Sequence, residues 1–355
     1  MGFVIVTLNV SFWDGRRVFV TGHTGFKGAW LCLLLETLGA EVSGIGLAAR
    51  EQGAYRSFLP WGRVESIIAD MRDLDAVTEA VGHADPEVIV HMAAQALEPV
   101  SFADPVSTYS SNVMSTVHLL EAIAKAPSLK SIVVVTSDKV YENKELGRPF
   151  KEDDPLGGSG PYSGSKVCVE HVVKAFRQDR SQPLNGRIAT ARAGNVVGGG
   201  DDSQERLLPD VFRALAEGRE VKLRNPRAVR PWQFVLNPLS GYLMLAARLH
   251  ERPEDAPVAL NFGPPVEEAV SVGELVERTL SAVGTGRWVE VGGSFPEAVQ
   301  LRLDSSLAQR SLGWRPVVDI DTAIRWTAEW YRAAPDAKRD VSMRQIRDYL
   351  EMVSR

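Results

Sequence analysis

Tyr162 and Lys166 stand four residues apart in "PYSGSKVCVEH". On a helix that spacing lets both side chains reach one point. An ammonium beside a phenol favours the phenolate. The pair reads as a base that takes a hydroxyl proton while a hydride leaves the same carbon. A second group lies upstream in "VVVTSDKVYEN", Val133 to Asn143. Thr136 ends an apolar run and is expected as the hydroxyl that completes the redox site. Asp138 and Lys139 follow as an acid and a base. In isolation such a run is a strand entering a solvated, charged turn, and a terminal threonine is only good β-propensity.

The segment "VFVTGHTGFKGAWL" gives these groups a context. Gly22, Gly25 and Gly28 lie between a strand and a helix. A pyrophosphate needs backbone N–H groups and a helix N-terminus close by, and a Cβ would block its approach. The spacing G-x-x-G-x-x-G resembles that of the extended short-chain dehydrogenase/reductase superfamily. Within such enzymes the TSDK strand end faces substrate. A sugar-nucleotide 4-epimerase needs no further acid or base there. A 4,6-dehydratase must remove the C5 proton and expel the C6 hydroxyl, and Asp138 and Lys139 supply two such groups. To act as a base Lys139 must be neutral, and burial beside Lys166 and a nicotinamide ring is expected to lower its pKa.

The elements that must hold these residues alternate in type. "RRVFVTG", "EVSGIGL", "VESIIADM", "PEVIVHMAA", "SIVVVTS" and "GRIATARAGNVVG" read as six strands. Helices are expected over "KGAWLCLLLETLGA", "LDAVTEAVGHA", one long stretch "PVSTYSSNVMSTVHLLEAIAKA", and "YSGSKVCVEHVVKAFRQD". Alternation of this kind predicts an α/β fold, a doubly wound, Rossmann-type parallel sheet covered on both faces. Residues 12–197 are expected to form an NAD-binding domain. Residues 198–355, richer in Gly and Pro turns, are expected to be mainly a smaller substrate-binding region interleaved with the first. The helices "DIDTAIRWTAEWYRAA" and "SMRQIRDYLEMV" are expected as covers or at an oligomer contact. Residues 1–11 are taken as an extension without function; they lack the basic start and small-residue cleavage site of a signal peptide.

Composition narrows the class. The chain has 355 residues, 45% hydrophobic and 24% charged, with a net charge of −5. That balance and the lack of a dense Lys/Arg stripe argue against a nucleic-acid partner. No apolar run reaches the roughly 20 residues of a membrane span. Two cysteines, Cys32 and Cys168, offer neither metal-ligand spacing nor a disulfide framework, as suits a reducing cytoplasm.

Cofactor choice rests on thin signals. The second strand runs into "GIGLAARE", with no acid to hold an adenosine ribose. Arg50 reads either as a partner for a 2′-phosphate or as a loop arginine. Asp70, in "IIADMRD", is placed to accept from an adenine amine, or is an exposed turn aspartate.

Together "GHTGFKGAWL", "AAQAL", "TSDKVYEN", "DPLGGSGPYSGSK", "ARAGNVVGGGD", "RLLPD" and "RPWQFVLNPLSGYL" resemble the CDP-glucose 4,6-dehydratase family over Phe12 to Tyr331. The resemblance implies tightly held NAD, recycled within one turnover, and a homodimer formed through two helices of the main domain. It implies cofactor contacts from Gly22, Thr24, Gly25, Phe26, Lys27, Gly28, Asp70, Met71, Ala93, Ala94, Gln95, Tyr162 and Lys166. Tyr162 would be the C4 base, Asp138 the C6 acid, and Lys139 would stand where other dehydratases place a glutamate. Asn195, Arg206, Leu207, Pro209 and Arg230 would bind the nucleotide sugar, with Arg230 on its diphosphate. No metal is implied.

The sequence also departs from that family. "AAQALEPVSF" replaces "AAQPLVRRSY", so two arginines are lost and Glu98 and Pro99 enter beside the sugar site. Asp202 replaces a tryptophan, Val140 a cysteine and Pro296 a histidine. These changes bear on which nucleotide sugar is used more than on the reaction. A nucleotide-sugar epimerase or related redox enzyme is the alternative function. A non-catalytic NAD-binding scaffold is a third, opposed by Thr136, Tyr162 and Lys166.

Overall fold

Near-continuous apolar strands can be satisfied only when both faces of a sheet are covered. In the computed structural model, which describes residues 8–143, 147–178, 184, 186–292 and 301–354, seven parallel strands form one sheet whose central strands meet that condition. They are β1 (Arg17–Thr21), β2 (Glu41–Gly46), β3 (Val64–Ile68), β4 (Val88–His91), β5 (Ser131–Val135), β6 (Ile188–Ala193) and β7 (Ala259–Phe262). Their order is β7-β6-β5-β4-β1-β2-β3. Every residue of β4, β5 and β6 is buried, whereas edge strand β3 is largely open. The expected doubly wound sheet is present. Its seventh strand comes from the later half of the chain, pairing Phe262 with Ala193 of β6.

The chain runs outward through β2 and β3, then crosses back to β4. Thr21 therefore lies in register with both Ile45 and His91. In open α/β sheets ligands bind beyond the carboxyl ends of the strands at such a reversal. Helix α1 (Phe26–Thr37) starts there and is buried from Gly28 to Leu35, so its sequence lacks the polar face of a surface helix. Helix α2 (Leu236–Glu251) is buried along most of its length on the opposite stretch of sheet.

The long helix expected over 105–126 starts at Pro105 as expected and carries a π-helical turn, and a short helix not expected from the sequence precedes it. Helices span Glu98–Ala103 and Pro105–Tyr109, then a π-helical turn covers Ser110–Met114 before Ser115–Ala122. Pro105 cannot continue a preceding helix, and Asp104 caps the next one by accepting from the Ser107 N–H at 2.9 Å. Helix Pro161–Gln178 forms as expected. The two C-terminal helices, Ile320–Arg332 and Lys338–Val353, act as covers: Tyr331 stacks on Phe212 at 4.1 Å and donates to Asp201 O at 2.6 Å. At the N-terminal end, Leu8 is already buried in the main core; the extension's first seven residues lie outside the described ones. Among the described residues no helix is long and apolar enough to cross a membrane.

Candidate active site at the β1–β4 reversal

The glycine loop is shaped by contacts that exclude a side chain. Gly22 has φ +70°, and a Cβ there would lie 2.9 Å from the Ala93 backbone. At Gly28 a Cβ would lie 2.1 Å from Gly22 O. The loop is thus pressed against β4 on one side and its own helix on the other. Gly25 is the N-cap of α1, and Thr24 Oγ1 donates to Leu47 O at 2.7 Å. His23 turns away into the core, where its Nε2 meets Ser66 Oγ at 2.7 Å. This helix-capped loop at the sheet reversal fits the pyrophosphate of a dinucleotide, with Gly22 and Gly28 letting the loop close on its own backbone and Gly25 leaving the N-terminus of α1 bare.

Other expected cofactor residues surround the loop. Thr21 Oγ1 accepts from the Met92 and Ala93 N–H groups at 3.0 Å each and meets His91 Nδ1 at 2.7 Å. Burial drives the His91 pKa down to about 3, so this buried histidine is neutral. Ala94 follows in the same partly buried stretch, and Phe26 opens α1. Gln95 is wholly occupied: its amide donates to Leu97 O and Thr108 Oγ1, and Asn112 brackets its backbone. Met71 is buried and accepts from His118 Nδ1. Asp70 is gripped by Arg72, with 2.6 Å to Nη2, and that guanidinium holds its carboxyl below the usual range. Arg50 faces Asp202 at 3.8 Å.

Tyr162 and Lys166 share one face of helix Pro161–Gln178, as their spacing requires. Lys166 is buried and donates to Val135 O at 3.0 Å; burial lowers its pKa to about 8. The Tyr162 phenol is shifted up rather than down as expected, because burial outweighs the nearby donors Ser137 and Arg206, and Asp138 and Glu98 push the same way as burial. Lys27 reaches the cluster too: its Nζ donates to Tyr242 OH at 3.1 Å, and burial with Lys166 and Arg206 lowers its pKa to about 7.

Two expectations for the TSDK stretch are corrected. Thr136 does not face Tyr162. Its hydroxyl donates to Glu170 Oε1 at 2.6 Å, within a buried group where Glu170 also takes Arg192 and Thr190. Ser137, one residue on, is the hydroxyl within hydrogen-bonding reach of the Tyr162 phenol. Thr136 still extends the β5 ladder, its N–H donating to Ala191 O, whereas Ser137 caps the turn Asp138–Val140. The end of the ladder is the signal that separates the two. Lys139 is likewise not a buried amine beside Lys166. It is part-exposed and ion-paired with Glu98.

Asp138, the expected acid, lies buried just beyond the end of β5. It is 3% exposed; Oδ1 accepts from Ser137 Oγ at 3.1 Å, and Oδ2 is buried without a hydrogen-bond partner among the described residues. Burial pushes the carboxyl up, against the opposing pull of Lys139, Ser137 and Arg230. A pKa shifted this way favours the protonated carboxyl, the form from which a proton can be given.

Of the expected substrate residues, Arg230 is buried near Asp138 and donates to Val229 O. Arg206, the N-cap of helix Leu207–Ala216, donates to Ala96 O at 3.1 Å and lies close enough to bias Tyr162 and Lys27. Leu207 is partly buried and Pro209 buried in that helix. Asn195 O accepts from the Gln233 N–H. Among the described residues no group of three or more His, Cys, Asp or Glu side chains could hold a metal ion.

A dinucleotide loop joined to a Tyr–Lys pair and a buried strand-end acid defines a class of nucleotide-cofactor enzyme. Residues 18–260 match the model of the NAD dependent epimerase/dehydratase family. The chain is 40% identical to a CDP-glucose 4,6-dehydratase of Salmonella typhimurium, over 98% of this chain and all of that one. It is 29% identical to a UDP-glucose 4-epimerase of Mycolicibacterium smegmatis, over 89% of this chain and 98% of that one. The fold is similar to that of a dTDP-glucose 4,6-dehydratase from Streptomyces venezuelae with NAD and TYD bound (TM-score 0.77, 22% identity, 89% and 97% covered). The chain belongs to the NAD dependent epimerase/dehydratase family.

Proposed function

We propose that this protein removes water from a nucleotide-diphospho-glucose, CDP-glucose before others, to give the 4-keto-6-deoxy sugar. The observation that carries the reading is the buried, unpartnered Asp138 Oδ2 beside Tyr162 and Ser137. A 4-epimerase has no use for such an acid, whereas a dehydratase needs one to protonate the departing C6 hydroxyl. The 40% identity to a CDP-glucose 4,6-dehydratase supports the same choice.

NAD, when bound, supplies the hydride acceptor and donor. The chain's residues supply the rest. Tyr162 takes the C4 hydroxyl proton, helped by Ser137 in place of Thr136, and Lys166 sits one turn on. The ketone at C4 acidifies the C5 proton. Asp138 gives its proton to the C6 hydroxyl, which leaves as water. Arg230, Arg206, Asn195, Leu207 and Pro209 are read as the nucleotide-sugar side, which places substrate binding mainly in residues 198–355 and cofactor binding in 12–197. A homodimer is supported by exposed apolar side chains on one helical run, Val106 (80% exposed) and Met114 (44%). A cytoplasmic setting is supported by two free thiols.

Incubation with CDP-glucose and mass spectrometry tests the reaction. Loss of one water supports dehydration; an isobaric product supports the epimerase. Parallel incubations with other nucleotide-glucoses test the base. Tyr162→Phe is expected to abolish turnover, and a variant that still turns over would remove Tyr162 from the chemistry.

A further inference from the structure

We propose that Glu98 is the base that removes the C5 proton, and that Lys139 is its positioning partner. The inference deepens the dehydratase reading and rests on it. A base for C5 must be a carboxylate or amine near Asp138 and Tyr162, with access to substrate. Lys139 is placed there, yet its Nζ is bound to Glu98 Oε2, so the strand end presents a carboxylate and an ammonium together. The Glu98 side chain is 42% exposed, open to an incoming sugar rather than sealed in the core. Its charge is felt at the Tyr162 phenol, which sets it beside the redox group.

Two hydrogen bonds fix that placement. The Tyr162 N–H donates to Ser101 Oγ at 3.2 Å, and the Ser101 hydroxyl donates to Glu98 O at 2.7 Å. The short helix Glu98–Ala103 is thereby tied to the start of the helix that carries Tyr162 and Lys166. Glu98 belongs to the stretch that departs from the resembled family, so the base would be supplied here from the β4 side of the site.

The step balances. In the C4 ketone, the C5–H bond breaks and its proton passes to Glu98. The electron pair forms the C5–C6 double bond as the C6–O bond breaks. Asp138 donates its proton, and water leaves. Protonated Glu98 then returns its proton to C5 as the hydride taken from C4 is delivered to C6, which consumes the double bond and gives the 4-keto-6-deoxy sugar.

The test uses holoenzyme mixed with CDP-glucose, read by the absorbance of reduced nicotinamide and by mass spectrometry. Glu98→Gln is expected to reduce its cofactor within roughly threefold of wild type while water loss slows about 100-fold or more. Glu98→Asp is expected to recover part of the elimination. Lys139→Met is expected to slow elimination less than Glu98→Gln does. Water loss by Glu98→Gln within roughly threefold of wild type overturns the assignment. So does a Lys139→Met enzyme slower in elimination than Glu98→Gln, which would make the lysine the base. Failure of Glu98→Gln to reduce its cofactor also overturns it, because the C5 step follows C4 oxidation. Wild-type enzyme that yields only an isobaric product overturns the dehydratase reading itself, and with it the role of Glu98.

Discussion

The Thr136 hydroxyl donates to Glu170 Oε1 across 2.6 Å, away from the Tyr162 phenol. Glu170 and Arg192 are each about 5% exposed and joined at 2.8 Å. Thr136 therefore completes the hydrogen bonding of a buried ion pair, while neighbouring Ser137 lies within hydrogen-bonding reach of the Tyr162 phenol. Thr136→Val is expected to cost about 1–3 kcal/mol of stability, since it leaves a buried carboxylate oxygen short of a donor, with kcat changed only a few-fold. Ser137→Ala is expected to do the reverse: an unchanged melting temperature and kcat lower by roughly 100-fold. Thermal unfolding and steady-state rates on both variants check the pair, and a large kcat loss confined to Thr136→Val would reverse the assignment.

Asp138 is buried with its carboxyl pushed up, which favours the protonated form that the proposed acid role requires. Asp138→Asn keeps the shape and removes that proton. Cofactor reduction by substrate is expected to persist while water loss falls about 100-fold or more. Rapid mixing that follows reduced nicotinamide separates the two steps. Elimination at the wild-type rate would take the acid role from Asp138.

Gly28 allows α1 to sit on its own loop. A Cβ there would lie 2.1 Å from Gly22 O, a backbone atom that cannot swing aside as a flexible side chain could. Gly28→Ala is expected to push the loop off its seat, to lower the melting temperature and to strip the protein of dinucleotide. Nucleotide content after purification gives the readout, and retention of a full complement would contradict the cradle.

Lys27 links folding to pH. Its folded pKa is about 7 against an ordinary value of 10.5, so between these values the unfolded chain holds more protons. Stability then rises with pH across that window, because a burial penalty on the ammonium is relieved. Lys27→Met lacks the penalty at every pH. In nucleotide-free protein the variant is expected to compare best with wild type near pH 7 and to lose that advantage towards pH 10. Denaturant midpoints of both proteins across the range measure it; a constant difference would show that the ammonium is not penalised.

What the linear sequence settles and what the fold decides divide along physical lines. Covalent spacing and local sterics are properties of the chain. The glycines before α1, the four-residue step from Tyr162 to Lys166 and the apolar strands are such features, and the sheet and nucleotide loop follow from them. Even locally the chain holds more than its pattern shows: a short helix, Glu98–Ala103, precedes the expected helix that starts at Pro105, and a π-helical turn interrupts the latter at Ser110–Met114. Partners distant in sequence are another matter. Glu170 claims Thr136, Glu98 claims Lys139, and Tyr242 meets Lys27 from 215 positions away. Which hydroxyl faces the phenol, and whether a lysine stands alone or paired, depend on burial and charge at short range. Those exist only once the β1–β4 reversal has brought the ends of several strands together, and there the tertiary structure alone chose.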